Sequence, residues 1–167
     1  MKKTDWIWIG SKGWVVLIGL LFATAAMAAP PEDMGGWGKD SPYNQLYNAR
    51  ELDSFKGRVV KVTEIVPMKG MSPGVAILVS DSEDEVIEVQ VCPTWYKSAK
   101  KVSLRRDDRV KVRGVWAEID GKDVFMASKI KKEDSFVLKV RLTKDGTPFW
   151  TMSPEQLAEE IQDIDDD

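Results

Sequence analysis

Residues Arg109–Trp116 read RVKVRGVW. Arg109, Lys111 and Arg113 alternate with Val110 and Val112, the two-residue period that turns charges to one face of a strand and valines to the other. Working outward, Asp120-Gly121 is a strong hairpin turn and leads into Val124–Ile130 (VFMASKI). Upstream, Val86–Val91 (VIEVQV) alternates cleanly. Gly74–Ser80 (GVAILVS) precedes it across the acidic turn Asp81–Glu85, and Arg58–Val66 (RVVKVTEIV) lies beyond the loop Pro67–Pro73.

Five short runs within roughly 75 residues, each bounded by turn signals, predict a mainly β domain. The long, glycine-punctuated first run points to a small five-stranded antiparallel barrel of the OB type over residues 57–132. Residues 29–56 show no period of either kind and are rich in Pro, Gly and aromatics. They read as an extended arm whose Trp37, Tyr43 and Tyr47 dock on the barrel. In 133–167, Phe136–Leu142 and the Asp145-Gly146 turn predict one more hairpin. Ser153-Pro154-Glu155-Gln156 then predicts a helix start, with Ser as N-cap, Pro at the first position and Gln three residues on. Leu157, Ile161 and Ile164 form a narrow apolar stripe on that acidic amphipathic helix. Asp163, Asp165, Asp166 and Asp167 follow at its end, where they oppose the helix dipole.

The first 28 residues carry a message of their own. Lys2 and Lys3 precede an apolar run, Trp14 to Ala29, that ends in Ala26-Met27-Ala28, the pattern of a secretory signal peptide cleaved after Ala28. The competing reading is an uncleaved membrane anchor from Trp6 to Ala29, with Trp6, Trp8 and Trp14 at the membrane interface. Either way the domain is expected in the periplasm, soluble or anchored to the outer face of the inner membrane. The whole chain has 24 basic and 27 acidic residues. Removing 1–28 takes away three Lys and one Asp, leaving 21 against 26, an acidic product poorly suited to general nucleic-acid binding.

The strands and their punctuation resemble a family of small exported, periplasmic bacterial OB-fold proteins, some labelled DNA-binding by fold. The resemblance rests on Gly36-Trp37-Gly38, Ser41-Pro42-Tyr43, Leu46-Tyr47 and Gly57-Arg58-Val59-Val60. It continues through Pro67-Met68-Lys69-Gly70-Met71-Ser72, Pro93-x-Trp95-Tyr96, Asp108-Arg109-Val110-x-Val112-x-Gly114 and Gly146-x-Pro148-x-Trp150. It implies periplasmic location and a binding or scaffolding role, with no catalytic residues and no cofactor. The chain departs from the family in carrying Gln90 where relatives have His and Cys92 where relatives have Gly.

The chain has no histidine. That removes Ser-His and Cys-His pairs, ordinary zinc sites and the usual general base near neutral pH, so a non-enzymatic role is expected. Cys92 is the single cysteine, which precludes an internal disulfide. It reads as a buried small hydrophobe; the alternative is a soft-metal or redox site of Cys92, Met68 and Met71. One region is both basic and aromatic: Trp95, Tyr96, Lys97, Lys100, Lys101, Arg105 and Arg106. Residues 97–113 carry eight basic and two acidic side chains. Together with Met68, Lys69 and Met71 in the first loop, these residues are the expected contact surface for a protein partner. The alternatives are a merely solvated face and an auxiliary subunit of a respiratory or photosynthetic membrane complex, held by the uncleaved helix.

Overall fold

Six strands take up the alternating runs: β1 (Asp53–Ile65), β2 (Gly74–Ser80), β3 (Val86–Pro93), β4 (Arg109–Ile119), β5 (Lys122–Lys132) and β6 (Phe136–Lys139). The computed structural model describes residues 34–83, 85–133 and 136–162. The signal or anchor read at 1–28, with Trp6, Trp8 and Trp14, lies outside them, as do Ile164 and the aspartates of 163–167. Among the described residues no helix is long and apolar enough to cross a membrane.

β1 pairs antiparallel with β2 on one side and β4 on the other. β4 turns into β5 at Asp120-Gly121, both at positive φ as a tight two-residue hairpin requires. β3 pairs with β2 and then closes the ring on β5. The expected five-stranded mainly β barrel is therefore present, with two differences. Closure is parallel, through Val89↔Phe125 and Gln90↔Met126. And β6 extends the sheet beyond the ring by pairing with β5, setting Leu138 opposite Ile130 on the buried side. The hairpin expected in this region survives further on, as a bridge between Arg141 and Pro148.

β1 starts earlier than its sequence run because Phe55 continues the inward period, facing Val112 across the sheet. The barrel interior is filled by Val59, Ile77, Val89, Val110, Val112, Phe125 and Ile130, each at most 4% exposed. A β-bulge between Arg113 and Gly114 shifts the register of β4 on β5. Gly114 is required there, since a Cβ would collide with the Met126 carbonyl.

The aromatic arm docks as expected, but it is not extended. It winds through 3-10 turns at Met34–Gly36 and Ala49–Glu51 and a short helix α1 (Pro42–Gln45), whose N-cap Ser41 accepts from Asn44 N. Trp37 and Tyr43 are buried and Tyr47 nearly so. The Trp37 ring lies edge-on to Tyr43 and Trp150. Its indole N–H donates to Ser72 O at 3.0 Å, and its carbonyl accepts from Asn44 Nδ2 at 2.9 Å and Trp150 Nε1 at 2.8 Å.

Beneath this joint lies a buried cation. Arg141 is 1% exposed and sits over the rings of Trp150 (4.8 Å), Tyr47 (5.0 Å) and Tyr43 (6.0 Å). It donates to Asn44 Oδ1 at 2.7 Å. Burial pushes the Arg141 pKa down, against the pull of the two tyrosines, yet a guanidinium stays charged. Desolvated cation–π contact with three rings supplies what a carboxylate would otherwise supply. Helix α2 (Pro154–Gln162) follows, opened by the predicted capping box: Ser153 N donates to Gln156 Oε1 at 3.0 Å, and Gln156 N to Ser153 Oγ at 3.3 Å.

Candidate functional site: a cationic sheet face

The alternation of β4 propagates across three strands. Register places Arg58 opposite Arg109, Lys56 opposite Lys111, and Ser54 opposite Arg113. On the far side of β4, Lys111 faces Lys131 and Arg113 faces Lys129, and β6 adds Lys139 beside Lys129. The valines between these residues point inward, so the cations share the outer face. They form three rows: Arg58–Arg109, Lys56–Lys111–Lys131, and Arg113–Lys129–Lys139. Strands are about 4.8 Å apart and alternate residues on one strand roughly 6.8 Å apart, so eight cations stand on a tight two-dimensional lattice.

Like charges directly opposite one another destabilise a sheet. Natural sheets place opposite charges there, and this one does not. Among the described residues, Lys139 is the one member of the three rows in an ion pair, with Glu160 of α2 at 3.9 Å. Two of the nearby carboxylates are committed elsewhere. Asp108 bonds Lys132 at 3.0 Å and accepts from Arg105 N at 2.7 Å. These contacts outweigh the opposing effect of desolvation and hold its carboxyl below the usual range. Asp81 accepts from Glu83 N and Glu85 N in its own turn.

The residues singled out in the sequence separate into two places. The loop after β1 that carries Met68, Lys69 and Met71 is joined to the segment after β3 that carries Trp95 and Tyr96, Thr94 N donating to Pro73 O at 3.0 Å. The arm covers this end of the barrel, with Ser72 N donating to Gly35 O and Gly36 against Met71. Met68, Met71, Trp95 and Tyr96 pack against the core, and Lys69 is exposed. Tyr96 lies 6.0 Å from Trp150, and burial, helped by nearby Cys92, pushes its hydroxyl up to about 12. Lys97 is half-buried, while Lys100 and Lys101 are exposed on a 3-10 turn, Ala99–Val102. Arg105 and Arg106 stand elsewhere, in the turn strapped to β1 through Asp107 N to Val59 O and Val59 N to Asp108 O. Of the run 97–113, Arg109, Lys111 and Arg113 belong to the cationic face and Arg106 borders it.

Cys92 is fully buried, its Sγ 3.7 Å from Lys97 O. Burial pushes its thiol up to about 12, against the smaller effects of Lys97 and Arg141, so it stays protonated and behaves as a small hydrophobe. Gln90 is buried beside it; its Nε2 donates to Glu88 Oε1 at 2.9 Å and its Oε1 has no partner among the described residues.

The members of the rows missed in the sequence were Lys56, Arg58, Lys129, Lys131 and Lys139. The signal was present: in each run the basic residues occupy the outward positions. What joins them is the strand order β1-β4-β5-β6, which no single run contains.

No curated protein matches the chain. Solved structures superpose on part of it, two of them as follows. The protein PriB of Ralstonia solanacearum does so at 14% identity and TM-score 0.38, over 50% of this chain and 97% of that one. A mitochondrial single-stranded DNA-binding protein of S. cerevisiae does so at 13% identity and TM-score 0.38, over 56% of this chain and 96% of that one. A family model covers residues 51–137, a little over half of the chain, from the start of the barrel into β6. The chain belongs to the MamS/MamX magnetosome protein family.

Proposed function

We propose that this protein is a non-catalytic binding module of the magnetosome, which docks an acidic protein partner on the outer face of β1, β4 and β5. The observation that carries the reading is the set of three cation rows, in which Lys139 is the one member ion-paired among the described residues. A sheet that opposes like charges gives up stability, and an acidic surface arriving from outside recovers it. The absence of histidine supports a role without acid–base chemistry. The reading puts the domain outside the cytoplasm, as the pattern of residues 1–28 implies, with the periplasmic face of the membrane as its place of work.

The test uses the full chain and a polyglutamate peptide at low salt, followed by amide chemical shifts. Shifts over Lys56, Lys111, Arg113, Lys129 and Lys131, weakening as salt rises and lost in Lys111→Glu/Lys129→Glu, are expected. Shifts centred instead on Met68–Met71 and Trp95–Tyr96 would move the interface to the covered end of the barrel. No shifts at low salt would end the docking reading. Intact mass from membrane and soluble fractions separately decides between a cleaved signal and a retained anchor.

A further inference from the structure

One end of the cationic face is not open sheet but a cleft of about 730 Å³. Its floor is β1 from Lys56 to Val60 with β4 from Arg109 to Lys111; residues 80–82 and 106–107 form its walls. The backbone explains the concavity. β1 carries a register break between Val59 and Lys61, and the turn at Asp107 and Asp108 is hydrogen-bonded onto Val59 at 2.8 and 2.9 Å. Gly57 lets β1 press against β2, where a Cβ would collide with the Ser80 carbonyl. The turn is held by Asp107 in the left-handed region, φ 71°, a conformation few residues adopt without support.

Six cations line the cleft: Lys56, Arg58, Arg106, Arg109, Lys111 and Lys131. Three carboxylates share it, and Asp81 is engaged in its own turn. Asp107 and Glu133 remain to face the cluster. Arg58 spends one donor on Asp107 O at 3.1 Å and keeps the rest of its fork.

We infer that this cleft is a binding site for a compact, multiply charged phosphate group, either a short condensed phosphate or a phosphomonoester headgroup. Phosphate chemistry fits for three reasons. A monoester carries nearly two negative charges on three acceptor oxygens, enough to meet a local surplus of three cations with one or two groups. Arginine forks bind such oxygens in pairs, and cross-strand side chains such as Arg58 and Arg109 start only about 5 Å apart, so one phosphate can bridge both. An extended acidic peptide offers a single charge per side chain at roughly 6.8 Å on one face, too sparse to neutralise this end. The volume lies within the range of small-ligand sites. The cleft shares Lys56, Lys111 and Lys131 with the docking face, but it is centred on Arg58, Arg106 and Arg109, so variants at Arg58 and Arg109 and at Arg113 and Lys129 tell the two readings apart.

The experiment is calorimetric titration of the full chain with sodium tripolyphosphate at fixed ionic strength. Saturable one-site binding is expected, weakened about ten-fold or more by Arg58→Ala/Arg109→Ala, the loss of one charged hydrogen-bond pair. Arg113→Ala/Lys129→Ala, on the same face outside the cleft, should change it less than about three-fold. Absence of saturation, equal losses in the two double variants, or the same response to acetate at matched ionic strength would each overturn the assignment. Sedimentation with phosphatidylcholine vesicles containing phosphatidic acid identifies the source. Co-sedimentation lost in Arg58→Ala/Arg109→Ala supports a lipid headgroup; tripolyphosphate binding without co-sedimentation supports a free phosphate ligand.

Discussion

Trp37 and Gly74 offer a test of whether the N-terminal arm is part of the barrel's core, because each makes the other necessary. A Cβ on Gly74 would overlap Trp37 Cζ2 and stand 2.6 Å from Cη2, where carbon atoms prefer 3.5–4.0 Å. The ring cannot retreat: Tyr43 lies 4.8 Å away, Trp150 lies 5.6 Å away, and the indole N–H is tied to Ser72 O. Gly74→Ala should therefore cost about 2 kcal/mol, the usual size of an overpacking penalty. Trp37→Leu removes the two ring carbons concerned. It should cost about 3 kcal/mol by itself, from the vacated volume and the orphaned Ser72 carbonyl.

In the Trp37→Leu background the same Gly74→Ala change meets only the Cys92 carbonyl, at 3.3 Å. That tight contact offsets the roughly 0.5–1 kcal/mol that alanine gains over glycine in backbone entropy, so the change should be close to neutral. The coupling energy between the two sites is thus about 2 kcal/mol. Urea unfolding of the four proteins, followed by far-ultraviolet circular dichroism, measures it if each unfolds in one transition. A coupling below about 0.5 kcal/mol, the level of independent sites, would refute the packing and leave the arm a loose appendage. So would a Trp37→Leu cost under about 1 kcal/mol, the size expected of a surface change.

The other predictions follow from charge and burial. Lys111→Gln relieves two like-charge oppositions, with Lys56 and Lys131, and should raise stability by about 0.5–1 kcal/mol while weakening polyglutamate binding; thermal melts and the peptide titration on one sample check both. Burial alone would raise the Glu88 pKa, but hydrogen bonds from Lys122 and Gln90 outweigh it and hold the carboxyl below its ordinary value. The stability this lends is complete above the ordinary Glu pKa and is lost as pH falls through the lower, folded value. Melts from about pH 6 down to pH 3 should therefore fall less steeply in Glu88→Gln, with a small difference because Lys122 is 65% exposed. Cys92 should resist a thiol-specific disulfide reagent at pH 8 in the folded state and react fully once unfolded; rapid native labelling would contradict its enclosure.

Legibility followed sequence distance. Strand positions were readable because RVKVRGVW and its counterparts carry their period within eight residues. The capping box at Ser153 was readable for the same reason. The helix at Ser41-Pro42 announces itself by the same Ser-Pro start, but it is a single turn with no apolar stripe behind it. The parallel closure of β3 on β5 was not readable: both runs look as they would in an antiparallel pair, and only the completed ring decides their direction. Arg141 was missed because its partners Asn44, Tyr43 and Tyr47 lie nearly 100 residues away, and nothing local marks an arginine for burial. The charge run 97–113 was seen, but its residues serve different surfaces, since a turn at 105–108 separates the exposed lysines from the strand cations.

The conflict between two levels of the sequence is what makes the cationic face informative. In the strands, turns and helix starts local choice and global fold mostly agree: valines fill the inward positions, turns carry Asp-Gly, and Ser-Pro opens the helices. On the outer side of β1, β4 and β5, basic residues recur at positions that the register brings face to face, where a single acid per row would have served stability better. Sequences that fold reliably break such rules where function requires it. The acids exist in this chain, 27 of them against 24 bases, so the rows do not reflect a generally basic composition. They reflect a scarcity of acids on one face, where Asp81, Asp107 and Glu133 border only the cleft end, and the ion pair that the described residues form there, Lys139 with Glu160, comes from α2 rather than from the sheet. If the rows were only a solvated surface, replacing Lys111 by glutamine would raise stability and leave binding untouched. If they are an interface, stability and binding must move in opposite directions in one variant.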